Sequence, residues 1–172
     1  MEWQQLIVDI FERISQALGR ALEGLTLDDL NQQLRPDCNS IGWLTWHLTR
    51  AQDRAISDLM EEEQLWIKDE WYVKFNRSAD PQDFGLGHTS EDLAAFNSPD
   101  MMTLLGYHQA VLERTKRYLS NLSETELDRE IDHPKFPTVE VRLVAVISDN
   151  LQHAGQVAYV HGLLKGKGWL DV

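Results

Sequence analysis

Apolar side chains recur at helical spacing in four long stretches of this chain, the pattern of helices that bury one face. The predicted helices extend from about Glu2 to Leu22, Ser40 to Met60, Ser98 to Leu119 and Thr138 to Leu164. Strand-like alternation is brief and weak, for example at Trp71–Phe75. The pattern therefore predicts an all-α protein.

The residues between these stretches predict where helices begin and end. Ser98 before Pro99 is typical of an N-cap followed by proline at the first helical position. Capping signals at Thr26, Thr89 and Ser123 predict short accessory helices. Residues 61–97 form a long, aromatic-rich connection. We expect one domain over residues 1–172, a four-helix bundle with a long crossover between its second and third long helices.

Charge and composition narrow the classes of function. The formal net charge is −12, from 28 acidic and 16 basic residues, which disfavours nucleic acid as a partner. The single cysteine, Cys38, cannot form an intramolecular disulfide, and the first residues lack the pattern of a secretion signal. No apolar run approaches the about 18 residues needed to span a bilayer. We expect a soluble cytoplasmic protein that does not interact with membranes.

Three potential metal ligands lie on two of the predicted helices. Asp149 and His153 are four residues apart, so they project from one helix face, one turn apart. His47 lies in an apolar, aromatic helical stretch and points inward. If the two helices pack face to face, the three side chains form a metal site inside the bundle.

Each of these residues also has an ordinary structural interpretation. A single histidine on an apolar face is more often a hydrogen-bonded core residue, and Asp149 with His153 can be a simple polar pair. Together the three residues favour a divalent ion, with zinc or nickel as the first candidates and iron or manganese as alternatives. Three protein ligands leave a coordination position open, which is typical of catalytic sites.

Two arginines accompany the predicted ligands. Arg54 follows His47 by seven residues and Arg142 precedes Asp149 by seven, so each lies near the angular position of its ligand. Either can bind an anionic substrate group, and ion pairing with acidic residues is the alternative. Surface or capping roles are expected for the other histidines, with a supporting or substrate-facing role as the alternative for His88. Cys38 has no evident base partner and is not expected to be catalytic.

The segment Ser40–Leu48 around His47 resembles the helix-2 histidine motif of the DinB-like superfamily. The segment Asp149-x3-His153-Ala154-Gly155-Gln156 resembles its helix-4 motif, in which many members have histidine where this chain has Asp149. The resemblance covers nearly the whole chain and looks closest to the branch that includes mycothiol-dependent maleylpyruvate isomerase and other thiol-dependent transferases. It implies a four-helix bundle, often a homodimer, with a divalent metal held by His47, Asp149 and His153.

The leading functional hypothesis is a metal-dependent thiol transferase or isomerase, whose metal activates a low-molecular-weight thiol toward a small-molecule substrate. Arg142 and Arg54 would orient an anionic group of that substrate. Two alternatives stay open from the sequence: a non-catalytic, dimeric metal-binding module for binding or stress response, and a hydrolase that uses metal-bound water.

Overall fold

The chain folds into α-helices, as its apolar periodicity predicts. A computed structural model describes residues 2–166, and these contain nine helices and no strand apart from an isolated bridge between Glu130 and Thr138. The helices are, in chain order, α1 (Trp3–Leu22), α2 (Leu27–Asn31), α3 (Ile41–Met60), α4 (Leu65–Lys68), α5 (Trp71–Lys74), α6 (Ser90–Ala95), α7 (Met101–Asn121), α8 (Glu124–Leu127) and α9 (Val139–Lys165). The all-α class is confirmed.

The four long helices pack against one another, with α1 and α3 each contacting both α7 and α9. Polar contacts fix their directions. Gln52 and His47 of α3 face Asn150 and His153 of α9, so these two helices are antiparallel. Thr49 and Gln52 face His108 and Thr115 of α7, so α3 and α7 are parallel. Parallel neighbours need a long connection, and residues 61–97 supply it.

The long connection is anchored by charged side chains buried inside α3. Asp53 is fully buried and accepts hydrogen bonds from the backbone N–H groups of Leu65 and Trp66 and from the Tyr107 hydroxyl. Arg50 is equally buried and donates to the carbonyl oxygens of Asp80, Pro81 and Asp83. These bonds satisfy two charges that would otherwise be costly to bury, and they order the connection.

Most helix starts follow the predicted capping residues, and one does not. Thr26, Ser40, Thr89 and Thr138 cap α2, α3, α6 and α9 as their sequence contexts suggest. The prediction that Ser98 and Pro99 begin the third long helix is wrong. Asp100 caps α7 instead, because the N–H of Ser98 donates to Asn31 and its side chain packs beside Gly42. The weak strand signal at residues 71–74 belongs to α5.

The protein has no membrane span among its described helices. None of those in residues 2–166 is both long and apolar enough to cross a bilayer.

Candidate metal centre

His47, Asp149 and His153 come together where α3 packs against α9. One ligand atom from each lies within 4.8 Å of the others, and within the described part of the chain no further group of three His, Cys, Asp or Glu residues has this arrangement. His47 is 7% exposed, while the two α9 residues are partly exposed. The two histidine rings meet edge to face, with centroids 4.7 Å apart. The predicted cluster therefore forms, with His47 on its buried side and the two α9 residues on the side that faces solvent.

The position of the His47 ring is set by backbone and aromatic contacts. Its Nδ1 contacts the carbonyl oxygen of Phe84, which can only accept, so Nδ1 carries the proton and donates it. Trp43 stacks on the same ring, with centroids 4.8 Å apart and planes 8° from parallel. Nε2 is left as the lone-pair nitrogen. A hydrogen-bonded Nδ1 opposite a free Nε2 is the usual arrangement of metal-binding histidines.

His153 is oriented from its own helix. Its Nδ1 lies 2.7 Å from the Gln156 side-chain oxygen, which accepts a hydrogen bond from the Nδ1–H group and leaves Nε2 directed toward Asp149. The distance from Nε2 to Asp149 Oδ1 is 3.4 Å. The other carboxylate oxygen, Oδ2, is buried without a hydrogen-bond partner. A carboxylate with one buried, unpartnered oxygen, in a cluster with two imidazoles, fits a divalent cation, because a cation would satisfy the carboxylate and the nitrogen lone pairs together.

The two histidines differ in their affinity for protons. Burial lowers the pKa of His47, and the nearby charge of His153 adds to this effect. Burial also acts to lower the pKa of His153, but hydrogen bonds to Asp149 and Gln156 outweigh it and raise that pKa. Metal ligation requires the neutral imidazole. His47 is therefore ready to bind at neutral pH, whereas protons compete with a metal chiefly at His153.

The segment that supplies the Phe84 carbonyl fits tightly against α3. Gly85 has φ +92°, and a Cβ there would lie 2.5 Å from Trp43 and 3.0 Å from Trp46. A side chain at this position would push the segment away from His47. Glycine is required here for both its conformation and its size.

A hydrogen-bonded chain continues from Trp43 away from the cluster. The indole Nε1 of Trp43 donates to His88 Nδ1 at 3.1 Å, and His88 Nε2 donates to Asp83 at 3.1 Å. Asp83 also accepts from Arg77 at 2.7 Å. His88 thus supports the tryptophan that stacks on His47, which agrees with the supporting role considered for it.

The structure places Arg54 and Arg142 beside the cluster and not in it. The guanidinium of Arg54 lies over the Phe84 ring, and that of Arg142 lies over the Phe136 ring. Arg142 also pairs with Asp58 at 3.4 Å. Both arginines line a cavity that Asp149 also lines.

Two of the remaining histidines are not surface residues, contrary to expectation. His108 is 2% exposed and faces Thr49, and His161 is 4% exposed and bonds to the Ala21 carbonyl oxygen. Both lie where long helices pack together, His108 between α7 and α3 and His161 between α9 and α1. His133 lines the cavity beside the cluster.

Sequence reasoning assigned no role to Gln156, Phe84 or Gly85. Gln156 lies three residues after His153, a spacing that places the two side chains together on a helix and could have indicated its role. Phe84 acts through its backbone carbonyl, and no side-chain pattern reveals a carbonyl.

The family of the chain follows from comparison with known proteins. The sequence model of the DinB superfamily matches residues 10–157, which include all three residues of the cluster. The chain belongs to the DinB superfamily. A crystal structure of a conserved protein from Enterococcus faecalis is similar to this DinB protein, with 32% sequence identity and a TM-score of 0.88. The similarity covers 97% of this chain and 99% of that one. A comparison with curated proteins found no match for this DinB chain.

Proposed function

We propose that this DinB protein is a metal-dependent enzyme of the thiol-transferase or isomerase type, which uses a divalent ion to activate a low-molecular-weight thiol. The observation that carries the proposal is the cluster of His47, Asp149 and His153 with the unpartnered Asp149 Oδ2. An ion held by three protein ligands keeps a position for a fourth, and it lowers the pKa of a water or thiol bound there.

The protein's own residues would prepare this position. The Phe84 carbonyl and Gln156 hold the two Nδ1 protons, so that both Nε2 atoms are available as ligands. Trp43 and the ring of Phe84 stack on His47 and exclude water from its buried side. Asp149 and His153 are partly exposed, which leaves the opposite side accessible to a thiol and a substrate.

The first experiment measures metal content. We expect purified protein to contain zinc or nickel in near-equimolar amount by elemental analysis, with iron or manganese as the other candidates. His47→Ala and His153→Ala should each abolish it. His133→Ala is the matched control, because it removes a partly exposed histidine outside the cluster and should retain the metal. Wild-type protein that is metal-free and fails to bind added zinc or nickel would contradict the proposal.

The second experiment separates an enzyme that uses thiols from a metal-binding module without catalysis. Cobalt-substituted protein is titrated with cysteine and with glutathione, and the visible and near-ultraviolet absorption is recorded. A thiol that enters the open position should shift the cobalt bands. A spectrum unchanged by either thiol, or by other cellular thiols, would favour the non-catalytic module. The homodimer stays a prediction, which size-exclusion chromatography with light scattering can test.

A further inference from the structure

A cavity of about 340 Å³ lies directly beside the metal centre. It is bounded by α3 and α9 and by two loop segments, Phe84 to Leu86 and His133 to Phe136. Its volume is at the lower end of the range for small-molecule pockets, roughly 300–1,000 Å³. Because Asp149 is part of its wall, a molecule bound there would lie against one of the three candidate ligands.

The wall of this cavity is cationic, although the whole chain carries a net charge of −12. Three cationic side chains, Arg54, Arg142 and Lys135, line it together with His133, and Asp149 is the one carboxylate among its described lining residues. Burial lowers the pKa of His133, and the charges of Arg142 and Arg54 lower it further. Burial also lowers the pKa of Arg142, and the nearby charge of Arg54 adds to this effect. The two guanidinium groups are therefore close enough to repel each other, an arrangement that an anion would relieve.

The guanidinium groups of Arg54 and Arg142 have N–H donors available for a ligand. Arg54 forms no ion pair with any carboxylate in residues 2–166; its guanidinium carbon lies 4.6 Å from the centroid of the Phe84 ring. Arg142 has one carboxylate partner, Asp58, at 3.4 Å, and that partner's side chain is about half exposed. Stacking on Phe84 and Phe136 holds the two planar groups in place without using their N–H donors.

The rest of the wall is apolar. Between the arginines and the metal centre the cavity is lined by Ala51 of α3 and by Ala145 and Val146 of α9, with Leu86 at the loop side. These side chains offer no hydrogen bonds. They suit a hydrocarbon or aromatic segment of a ligand and not a sugar or a nucleotide.

Helix geometry sets the length of the ligand. Arg54 and His47 are seven residues apart on α3, and Arg142 and Asp149 are seven apart on the antiparallel α9. Seven residues correspond to about 10 Å of helix rise, so the α-carbons of both arginines lie about that far along their helices from the candidate ligands. A ligand that contacts both ends carries its charged group several bonds away from its reactive atom.

We propose that the cavity binds a small organic acid, with its carboxylate between Arg54 and Arg142 and its apolar part directed toward Asp149. Arginine is suited to this role because its N–H groups match the two carboxylate oxygens. The identification of this acid as the electrophilic substrate rests on the proposed function; its binding does not.

The test compares acids with their uncharged amides. Benzoate, 3-phenylpropionate and 4-phenylbutyrate, each with the matching amide, are titrated by calorimetry into metal-free and zinc-loaded protein at low salt. We expect at least one acid to bind at least tenfold more tightly than its amide, with the preference weakened by added salt. If no acid in the series is preferred over its amide, the proposal is wrong.

Matched variants locate the binding site. Arg54→Gln and Arg142→Gln should each weaken binding of the preferred acid by about tenfold or more while leaving amide binding unchanged. Arg117→Gln is the control, because Arg117 is an exposed arginine on α7 that does not line the cavity. Arg54 has no ion pair to lose, so its variant keeps the test valid if Arg142→Gln misfolds. Unchanged acid binding in Arg54→Gln would overturn the proposal.

The two forms of the protein separate this proposal from the proposed function. Acid binding by metal-free protein, with no metal bound after zinc addition, would support the acid site and contradict the metal-dependent enzyme. Metal binding without any preference for acids over amides would support the metal-dependent enzyme and contradict the acid site.

Discussion

A single methyl group at position 85 should weaken metal binding although none of the three candidate ligands is replaced. In Gly85→Ala the new Cβ would lie 2.5 Å from Trp43 and 3.2 Å from the Nδ1 of His47. The left-handed backbone at φ +92° costs an alanine about 1–2 kcal/mol, and overpacking adds about 1–3 kcal/mol. The segment can relieve the overlap by moving outward, which withdraws the Phe84 carbonyl from His47. Loss of such a supporting contact lowers metal affinity about 10- to 100-fold.

Gly87→Ala is the matched control for this prediction. Gly87 also has a positive φ, +85°, but a Cβ there would meet nothing within 4 Å. Both variants share the backbone cost, so their difference isolates the contact with α3. Zinc affinity is measured by competition with a chromophoric chelator, and folding by circular dichroism and urea unfolding of metal-free protein. If the folded Gly85→Ala and Gly87→Ala proteins bind zinc equally well, the Phe84 carbonyl does not orient His47.

Three further predictions concern side chains. Gln156→Leu removes the acceptor for His153 Nδ1 at 2.7 Å and should lower zinc affinity about tenfold or more in the same competition assay, with the fold unchanged by circular dichroism. Burial lowers the pKa of His108 to about 4, below the 6.5 of an exposed histidine, so the unfolded chain takes up the proton first as pH falls. The contribution of His108 to the free energy of unfolding is intact above pH 6.5 and should fall by about 2 kcal/mol at pH 5. Urea unfolding of metal-free protein should show that loss. If the free energies of unfolding of wild type and His108→Gln change in parallel with pH, the prediction is wrong. Tyr107→Phe removes the hydroxyl that donates to buried Asp53 at 2.7 Å and should reduce the free energy of unfolding by about 1–3 kcal/mol, measured at neutral pH.

The features that sequence predicted best are those that depend on local periodicity. The four long helices follow from apolar spacing, and the apolar helical neighbours of His47 predict that it points inward, where the structure buries it. The spacing of Asp149 and His153 predicted their shared face. Their meeting with His47 required the packing of two helices, which the residue pattern suggested and the family resemblance reinforced.

Other features depend on contacts between distant parts of the chain, and local patterns do not contain them. Ser98 has the sequence of an N-cap but packs beside Gly42, so Asp100 takes the cap. The local sequence around His108 does not indicate that it is buried, yet the parallel packing of α3 and α7 buries it against Thr49. The contact between Phe84 and His47 joins a loop backbone to a helix, and neither residue type predicts it.

The contacts of buried Arg50 in α3 lead us to expect that metal affinity depends on how fully the segment before Phe84 is held in place. Arg50 holds the carbonyl oxygens of residues 80, 81 and 83, immediately before the residue whose carbonyl orients His47. When only a fraction of molecules has this segment in place, the measured dissociation constant rises in inverse proportion to that fraction. Substitutions at Arg50, which is not one of the three clustered residues, would then appear in a screen as metal-binding defects. In this protein such defects would not by themselves identify ligands.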